Sequence, residues 1–152
     1  MDPQDGAVTL LPLTGPNILW YAGLAAYFFA LVPGMELAAT NQRTQTGEVD
    51  TVLRNRGQDS FWGRLGHLVA VECKNWQRPV GAKEIRDFQG KLRDIGVRVG
   101  FYVSVCGLSG NDRRDAALLL RDCRKDDFTV IPVDIDVMRI ALRFLEPTPA
   151  IE

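Results

Sequence analysis

A glutamate and a lysine lie two residues apart at the end of an apolar run in the sequence VAVECKNW, residues 69–76. Side chains two positions apart on a β-strand point to the same face of the sheet, so Glu72 and Lys74 are predicted to be neighbours. Cys73 between them points into packing on the opposite face. An acid and a base that meet where a buried strand leaves the core could act on a charged substrate.

A second acid is predicted to reach the same place. Asp50 follows a Thr-Gly turn signal and lies on the second strand of a predicted hairpin over residues 35–55. If that strand pairs with the strand predicted over residues 67–75, Asp50 and Glu72 converge.

These groups suit a metal ion and a phosphate. The Asp50 and Glu72 carboxylates and the Cys73 main-chain carbonyl are hard oxygen ligands, which Mg²⁺ prefers, and Mn²⁺ could substitute for it. Magnesium bound in this way keeps several waters and takes phosphate oxygens as further ligands. Lys74 would orient or deprotonate an attacking water and offset negative charge on phosphorus.

The hydrophobic pattern alternates strands with helices and predicts an α/β fold with a mixed central sheet flanked by helices. A flexible arm (1–16) and a short tail (147–152) are predicted to flank one domain (17–146). The predicted elements are a helix (18–32), the hairpin (35–55), a strand (67–75), a helix (82–95), a strand (97–107), a helix from Ser109 or Asn111 to about Lys125, a strand (128–134) and a final helix capped by Asp134 or Asp136.

Composition limits the partners and the location. The formal net charge is −1 for 152 residues, so a nucleic acid would have to meet a local positive face. Three cysteines and a single histidine argue against a disulfide framework and against a cysteine or histidine zinc site. Buried thiols in a reducing compartment predict a cytoplasmic protein.

The helix predicted over residues 18–32 is apolar on all sides but shorter than the roughly 20 residues that a membrane span requires. It is therefore predicted to be a buried core helix rather than a membrane element. Its apolarity indicates that a partner covers one side, either a second copy in a homodimer or a fused or partner domain.

The order GEVD, VECKNW, FQGKL and GFYVSVCGLSGNDRRDAALL resembles the PD-(D/E)XK nuclease superfamily, and within it the Mrr-type restriction endonuclease catalytic domain, over residues 34–135. The resemblance implies a restriction-endonuclease-like three-layer core with Asp50, Glu72, Lys74 and Gln89 as the active site. It also implies metal-dependent hydrolysis of DNA phosphodiesters to leave 5′-phosphates, in antiviral defence or DNA processing.

Gln89 has support of its own, because it lies near the edge of the apolar stripe of its helix and an amide there could reach the strand ends. In the implied site it orients the water or the scissile phosphate. Around the site, Arg78 and Lys83 are predicted to contact phosphates, and Trp76 and Asn75 are predicted to contact the nucleic acid beside them. DNA is the expected partner, and nothing in the sequence excludes RNA.

Two positions depart from the family pattern. Val49 stands where the family usually has a proline, and the helix of residues 18–32 lacks the glutamate that many members carry. The missing glutamate supports an alternative, a catalytically inactive nucleic-acid-binding or assembly module on the same fold.

Overall fold

Five strands form one mixed sheet in the part of the chain that the computed structural model describes, residues 18–57, 61–108 and 127–145. The elements are α1 (Ile18–Ala30), β1 (Met35–Arg43), β2 (Glu48–Asn55), a short 3₁₀ helix (Trp62–Arg64), β3 (Leu68–Lys74), α2 (Ala82–Ile95), β4 (Val99–Ser104), β5 (Thr129–Asp134) and α3 (Ile135–Leu145). The arm, the tail and the helix predicted from position 109 or 111 lie outside the described residues.

The strands follow the order β1-β2-β3-β4-β5. The pairs β1–β2 and β2–β3 are antiparallel, whereas β3–β4 and β4–β5 are parallel, so the predicted mixed sheet is confirmed. The ladder between β2 and β3 ends where Thr51 pairs with Val71. The next residues along the two strands are Asp50 and Glu72, which therefore leave the ladder side by side.

Each face of the sheet carries its own core, so the fold has the three layers that the sequence predicts. The buried residues between α2 and the sheet include Val52, Ala70, Ile85, Phe88, Leu92 and Tyr102. Those on the opposite face, toward α1 and α3, include Phe29, Leu53, Val71, Cys73, Phe101 and Met138. Alternate residues of β3 thus enter different cores, as expected for a strand buried on both faces.

Helix α2 has the boundaries predicted for it, and its ends explain why. Ile85, Phe88 and Leu92 form the buried stripe of an otherwise charged helix. Gly96 follows the last turn with φ of 67°, and its N–H donates to the carbonyl groups at the helix end. Glycine adopts this left-handed conformation without the steric cost of a Cβ, so it ends the helix here.

Helix α1 packs on the sheet through Ala25, Phe28 and Phe29, as predicted for a core helix. No helix in the described residues is long and apolar enough to cross a membrane. Tyr27 is 62% exposed on the outer side of α1. A partner on this helix stays a prediction.

The strand predicted over residues 97–107 is shorter than expected and spans Val99–Ser104. The chain turns after Ser104, and Gly107 has φ of 64°. Its carbonyl accepts a hydrogen bond from the Val80 N–H at 2.9 Å. The run of Val and aromatic residues therefore predicted too long a strand. The strand ends earlier because the chain turns where it contacts another loop.

Gly100 allows α2 to lie close against β4, and a side chain there should destabilise the fold. An added Cβ would lie 2.5 Å from Cε1 and 2.6 Å from Cζ of Phe88. We expect Gly100→Ala to lower the free energy of unfolding by about 1–3 kcal/mol, measured by urea denaturation. Gly90→Ala is the matched control, since its Cβ would meet Thr46 Oγ1 at 3.7 Å, and it should raise stability by up to about 1 kcal/mol through helix propensity. Equal stability of Gly100→Ala and wild type would contradict this view of the interface.

Candidate active site

Glu72 lies at the end of β3 with only 2% of its side chain exposed. Its Oε1 atom is 2.8 Å from Lys74 Nζ and 2.7 Å from Lys91 Nζ. Its Oε2 atom is buried and has no hydrogen-bond partner among the described residues. Burying a carboxylate is costly unless it is paired, so two ammonium groups on one oxygen stabilise its charge.

Asp50 is held beside Glu72 by the backbone of β3. Its Oδ2 atom accepts a hydrogen bond from the Cys73 N–H at 2.7 Å. The Cys73 side chain packs in the opposite core, so this residue provides main-chain atoms to the site and a thiol to the other layer. The structure thus brings together Asp50, Glu72 and Lys74, three of the residues singled out in the sequence.

Burial and the neighbouring charge of Glu72 raise the pKa of Asp50, and the Cys73 amide and nearby lysines only partly oppose this. For Lys74, partial burial lowers the pKa, but the hydrogen bond and charge of Glu72, with Asp50, outweigh it, and the net shift is upward. Lys74 is therefore a cation at neutral pH. In this arrangement it can orient a water or stabilise negative charge, but it is poorly suited to accept a proton.

The donor set fits a magnesium ion that keeps water ligands. The described residues contain no group of three or more His, Cys, Asp or Glu side chains that could hold a metal ion. Two carboxylates and a main-chain carbonyl do not form an all-protein cage, but Mg²⁺ is commonly held by one or two carboxylates plus substrate phosphates. Glu72 Oε2, which needs a partner, and the Asp50 carboxylate are the side-chain donors for such an ion.

The site opens into a cleft between α2 and the sheet, called here the α2 cleft. Its lining includes Glu72, Lys74, Trp76, Lys83, Lys91 and Tyr102. The Tyr102 hydroxyl is buried and, like Glu72 Oε2, has no hydrogen-bond partner among the described residues. The cleft therefore presents cationic groups to a ligand, and two polar atoms without partners in the described part of the chain lie buried in its lining.

Gln89 and Lys91 lie on opposite sides of the apolar stripe of α2. Two helical positions are separated by about 200° of rotation, so the two side chains leave the helix in different directions. Lys91 lines the α2 cleft and reaches Glu72, whereas the half-buried Gln89 is not part of the cleft lining. The catalytic role of Gln89 stays a prediction.

Lys91 was missed as a member of the site. A signal for it exists in the sequence, since it lies three residues after the buried Phe88 and so borders the apolar side of the helix. The side chain of a lysine in that position must either pair with a buried acid or extend into solvent. The pattern alone does not say which, because the acid is on another element.

The residues predicted to contact nucleic acid form a group beside the site. The Arg78 guanidinium stacks 4.1 Å from the centre of the Trp76 ring, and Lys74 Nζ lies 6.0 Å from the same ring. Arg78 is also paired with Glu84 at 3.3 Å. Trp76 is half-buried and lines the α2 cleft together with Glu72, so an aromatic ring with a guanidinium over it lies beside the site.

The other two predicted contacts are placed less centrally. Lys83 lines the cleft with 78% of its side chain exposed and pairs with Asp87 at 2.7 Å, the helical pair expected from their spacing. Asn75 is half-buried directly after β3. Trp62, in the preceding loop, packs toward Phe101 at 6.0 Å between ring centres.

The chain matches the Mrr catalytic domain family, described as restriction endonuclease, over residues 25–118. The matched region covers more than half of the chain and contains β2, β3 and α2. No curated protein matches the chain.

The chain is similar to several solved structures at low identity. EndoMS in an EndoMS–dsDNA2 complex is 20% identical with a TM-score of 0.47, covering 74% of this chain and 44% of that one. SfsA of Pyrococcus furiosus in complex with Ca²⁺ is 12% identical with a TM-score of 0.42, covering 76% and 54%. AF1548, a protein of unknown function, is 15% identical with a TM-score of 0.49, covering 80% and 65%. The chain spans less than two thirds of each.

Neutralising Asp50 should stabilise the protein. The folded-state pKa of Asp50 lies above its ordinary value of 3.8, so its ionised form is disfavoured in the native state and stability falls as the pH rises through the raised pKa. We expect Asp50→Asn to raise the free energy of unfolding at neutral pH by about 1 kcal/mol. The two proteins should converge as the pH falls below 3.8, measured by urea denaturation across this range.

Asp94→Asn is the control of opposite sign. Hydrogen bonds from Thr46 lower the pKa of Asp94, so its charge stabilises the native state at neutral pH and that contribution is lost in acid. A fall in neutral-pH stability for both variants would contradict the electrostatic account of Asp50.

Proposed function

Because the chain belongs to the Mrr-type restriction endonuclease family of PD-(D/E)XK nucleases, we propose that it is a metal-dependent nuclease that hydrolyses phosphodiester bonds in DNA. The observation that supports this most directly is the convergence of Asp50, Glu72 and Lys74 at the end of β3. Two acids and a fixed cation beside an open cleft are the groups that phosphodiester hydrolysis requires.

In the proposed reaction a water attacks phosphorus, the bond to the 3′ oxygen breaks, and a 5′-phosphate remains. Asp50, Glu72 and the Cys73 carbonyl would hold the ion. A bound Mg²⁺ would act as a Lewis acid and lower the pKa of a coordinated water. The cationic Lys74 would orient the water and stabilise the negative charge that develops on the phosphoryl oxygens.

The cleft supports DNA as the substrate. The Arg78 guanidinium lies over the Trp76 ring and pairs with Glu84, so it offers a cation beside the aromatic lining of the cleft that could meet a phosphate. Trp76 offers an aromatic surface on which a base could stack. Lys83 would add a more exposed contact with the backbone, and Asn75 is proposed as a further contact.

The biological setting is proposed from the family alone. We propose a role in defence against foreign DNA or in DNA processing, and we propose that the protein acts in the cytoplasm. Mn²⁺ is proposed to substitute for Mg²⁺.

A second candidate function is a catalytically inactive module that binds nucleic acid. The observation that favours it is the pairing of Glu72 Oε1 with both Lys74 and Lys91, which offsets the charge that would attract a metal ion. In this reading, the same cleft holds a phosphate backbone and no bond is broken.

Supercoiled plasmid DNA should be nicked by the wild type with Mg²⁺ or Mn²⁺, and EDTA should abolish nicking. We expect Lys74→Met and Glu72→Gln each to lower the rate by about 100-fold or more, because each removes charge stabilisation or a metal ligand. Arg139→Ala, on the exposed side of α3, is the matched control and should retain wild-type activity.

Nicking by Lys74→Met at the wild-type rate would rule out the proposed role of Lys74. Retained DNA binding without cleavage by the wild type would favour the inactive module. Labelled RNA in the same assay tests the alternative substrate.

Arg78→Ala should weaken DNA binding in a salt-dependent way. Loss of one phosphate contact should reduce the slope of log K against log salt concentration by about 1, measured by fluorescence anisotropy with a labelled duplex. Trp76→Ala should weaken binding by roughly 1–3 kcal/mol through lost stacking, with a smaller change in the salt slope. An unchanged slope for Arg78→Ala would show that its guanidinium does not contact a phosphate.

A further inference from the structure

Lys91 occupies a place in the site that the proposed chemistry has not used. Its ammonium group is 2.7 Å from Glu72 Oε1, and only 15% of its side chain is exposed. Because burying an ammonium group is costly, a lysine is retained there only if its pairing with Glu72 offsets that cost. Lys91 is therefore a fixed part of the site rather than a solvated surface charge.

The surroundings of Lys91 hold it in position. The β1–β2 turn lies against α2, where the Thr46 N–H and hydroxyl both donate to Asp94 Oδ2 at 3.0 and 2.8 Å. A Cβ at Gly47 would lie 3.2 Å from Lys91 Cε, so this turn passes directly beside the lysine stem. The stem therefore runs between the turn and the sheet to reach Glu72.

The charges in the site limit how many ions it can hold. Asp50 and Glu72 are balanced by Lys74 and Lys91, so the group has no net formal charge. Glu72 Oε1 already accepts hydrogen bonds from two ammonium groups. Oε2 is therefore the oxygen of this side chain that remains to bind a metal ion. A second divalent ion sharing Glu72 would have to approach an oxygen that two cations occupy.

The other acids along the α2 cleft are committed elsewhere. Glu84 Oε2 accepts from the Gly81 N–H at 3.0 Å and Glu84 Oε1 pairs with Arg78, while Asp87 pairs with Lys83. In the described part of the chain, no set of three acidic, histidine or cysteine side chains could hold a metal ion. A second ion would thus lack both a free shared oxygen and an additional carboxylate.

We propose that Lys91 takes the place of a second metal ion, so that the site binds a single divalent ion and uses the lysine as its other cation. The proposal rests on the proposed nuclease function and assigns to Lys91 an electrostatic, positioning role through Glu72. Unlike a metal ion, this cation is part of the chain and does not depend on the magnesium concentration.

Counting bound Mn²⁺ tests the proposal directly. Electron paramagnetic resonance of free Mn²⁺, with isothermal titration calorimetry, should give one ion per chain for the wild type without DNA. Lys91→Met keeps an aliphatic stem without the charge and should bind the first ion about tenfold more tightly. Lys91→Glu adds a carboxylate and should bind two ions per chain. Lys91→Arg keeps the charge and should bind as the wild type does.

Arg98→Met and Arg98→Glu are the matched controls, because Arg98 is exposed on the loop between α2 and β4 and carries the same charge change away from Glu72. They should leave the number and affinity of Mn²⁺ ions at wild-type values. Each variant compared must have the circular dichroism spectrum of the wild type. If Lys91→Glu does not fold, the comparison of Lys91→Met with the wild type is the test.

The dependence of the nicking rate on Mg²⁺ concentration gives a second readout. The wild type should show first-order dependence and Lys91→Glu a steeper one. Two ions bound by the wild type, or unchanged ion number and affinity in Lys91→Met and Lys91→Glu, would overturn the role of Lys91 while plasmid nicking still supported the nuclease function. A wild type that neither binds Mn²⁺ nor nicks DNA would overturn both.

Discussion

The structure depends on pairing one carboxylate in a place that water hardly reaches. Glu72 is 2% exposed near the end of a strand whose central residues fill two hydrophobic cores. A carboxylate without a partner in such a place would be costly, so its pairing is a condition for the packing around it. Lys74 comes from the same strand and Lys91 from α2, so both ion pairs of Glu72 are present only once helix and sheet have docked.

The docking of α2 is in turn a matter of close packing. Gly100 on β4 leaves room for Phe88, and the β1–β2 turn is tied to the last turn of the helix through Thr46 and Asp94. The same turn leads into β2 and Asp50. The hydrogen bonds that hold the helix thus also fix the strand that delivers the second acid, and site geometry and tertiary packing cannot be varied independently.

The sequence carried most of the local information. Alternation along β3 predicted that Glu72 and Lys74 share a face, and Gly96 marked the end of α2, because both depend on backbone geometry within one element. Mixed sheet, three layers and family were likewise predicted correctly. The pairing of Lys91 with Glu72 was not predicted. Periodicity places Lys91 at the border of the apolar stripe, but it does not identify the strand end that lies opposite. The strand at 97–107 was too long for a similar reason: a contact from another loop ends it.

The main chain and the side chain of Cys73 have separate structural roles. Its amide holds Asp50 in the site, while its side chain is buried among the residues that face α1 and α3. Backbone atoms are the same for every residue except proline, so the hydrogen bond to Asp50 places almost no demand on the identity of position 73. Protein engineers could therefore exchange this side chain for another small apolar group without changing the hydrogen bond at the site, and any penalty would arise in the opposite core layer, where compensating substitutions can be selected.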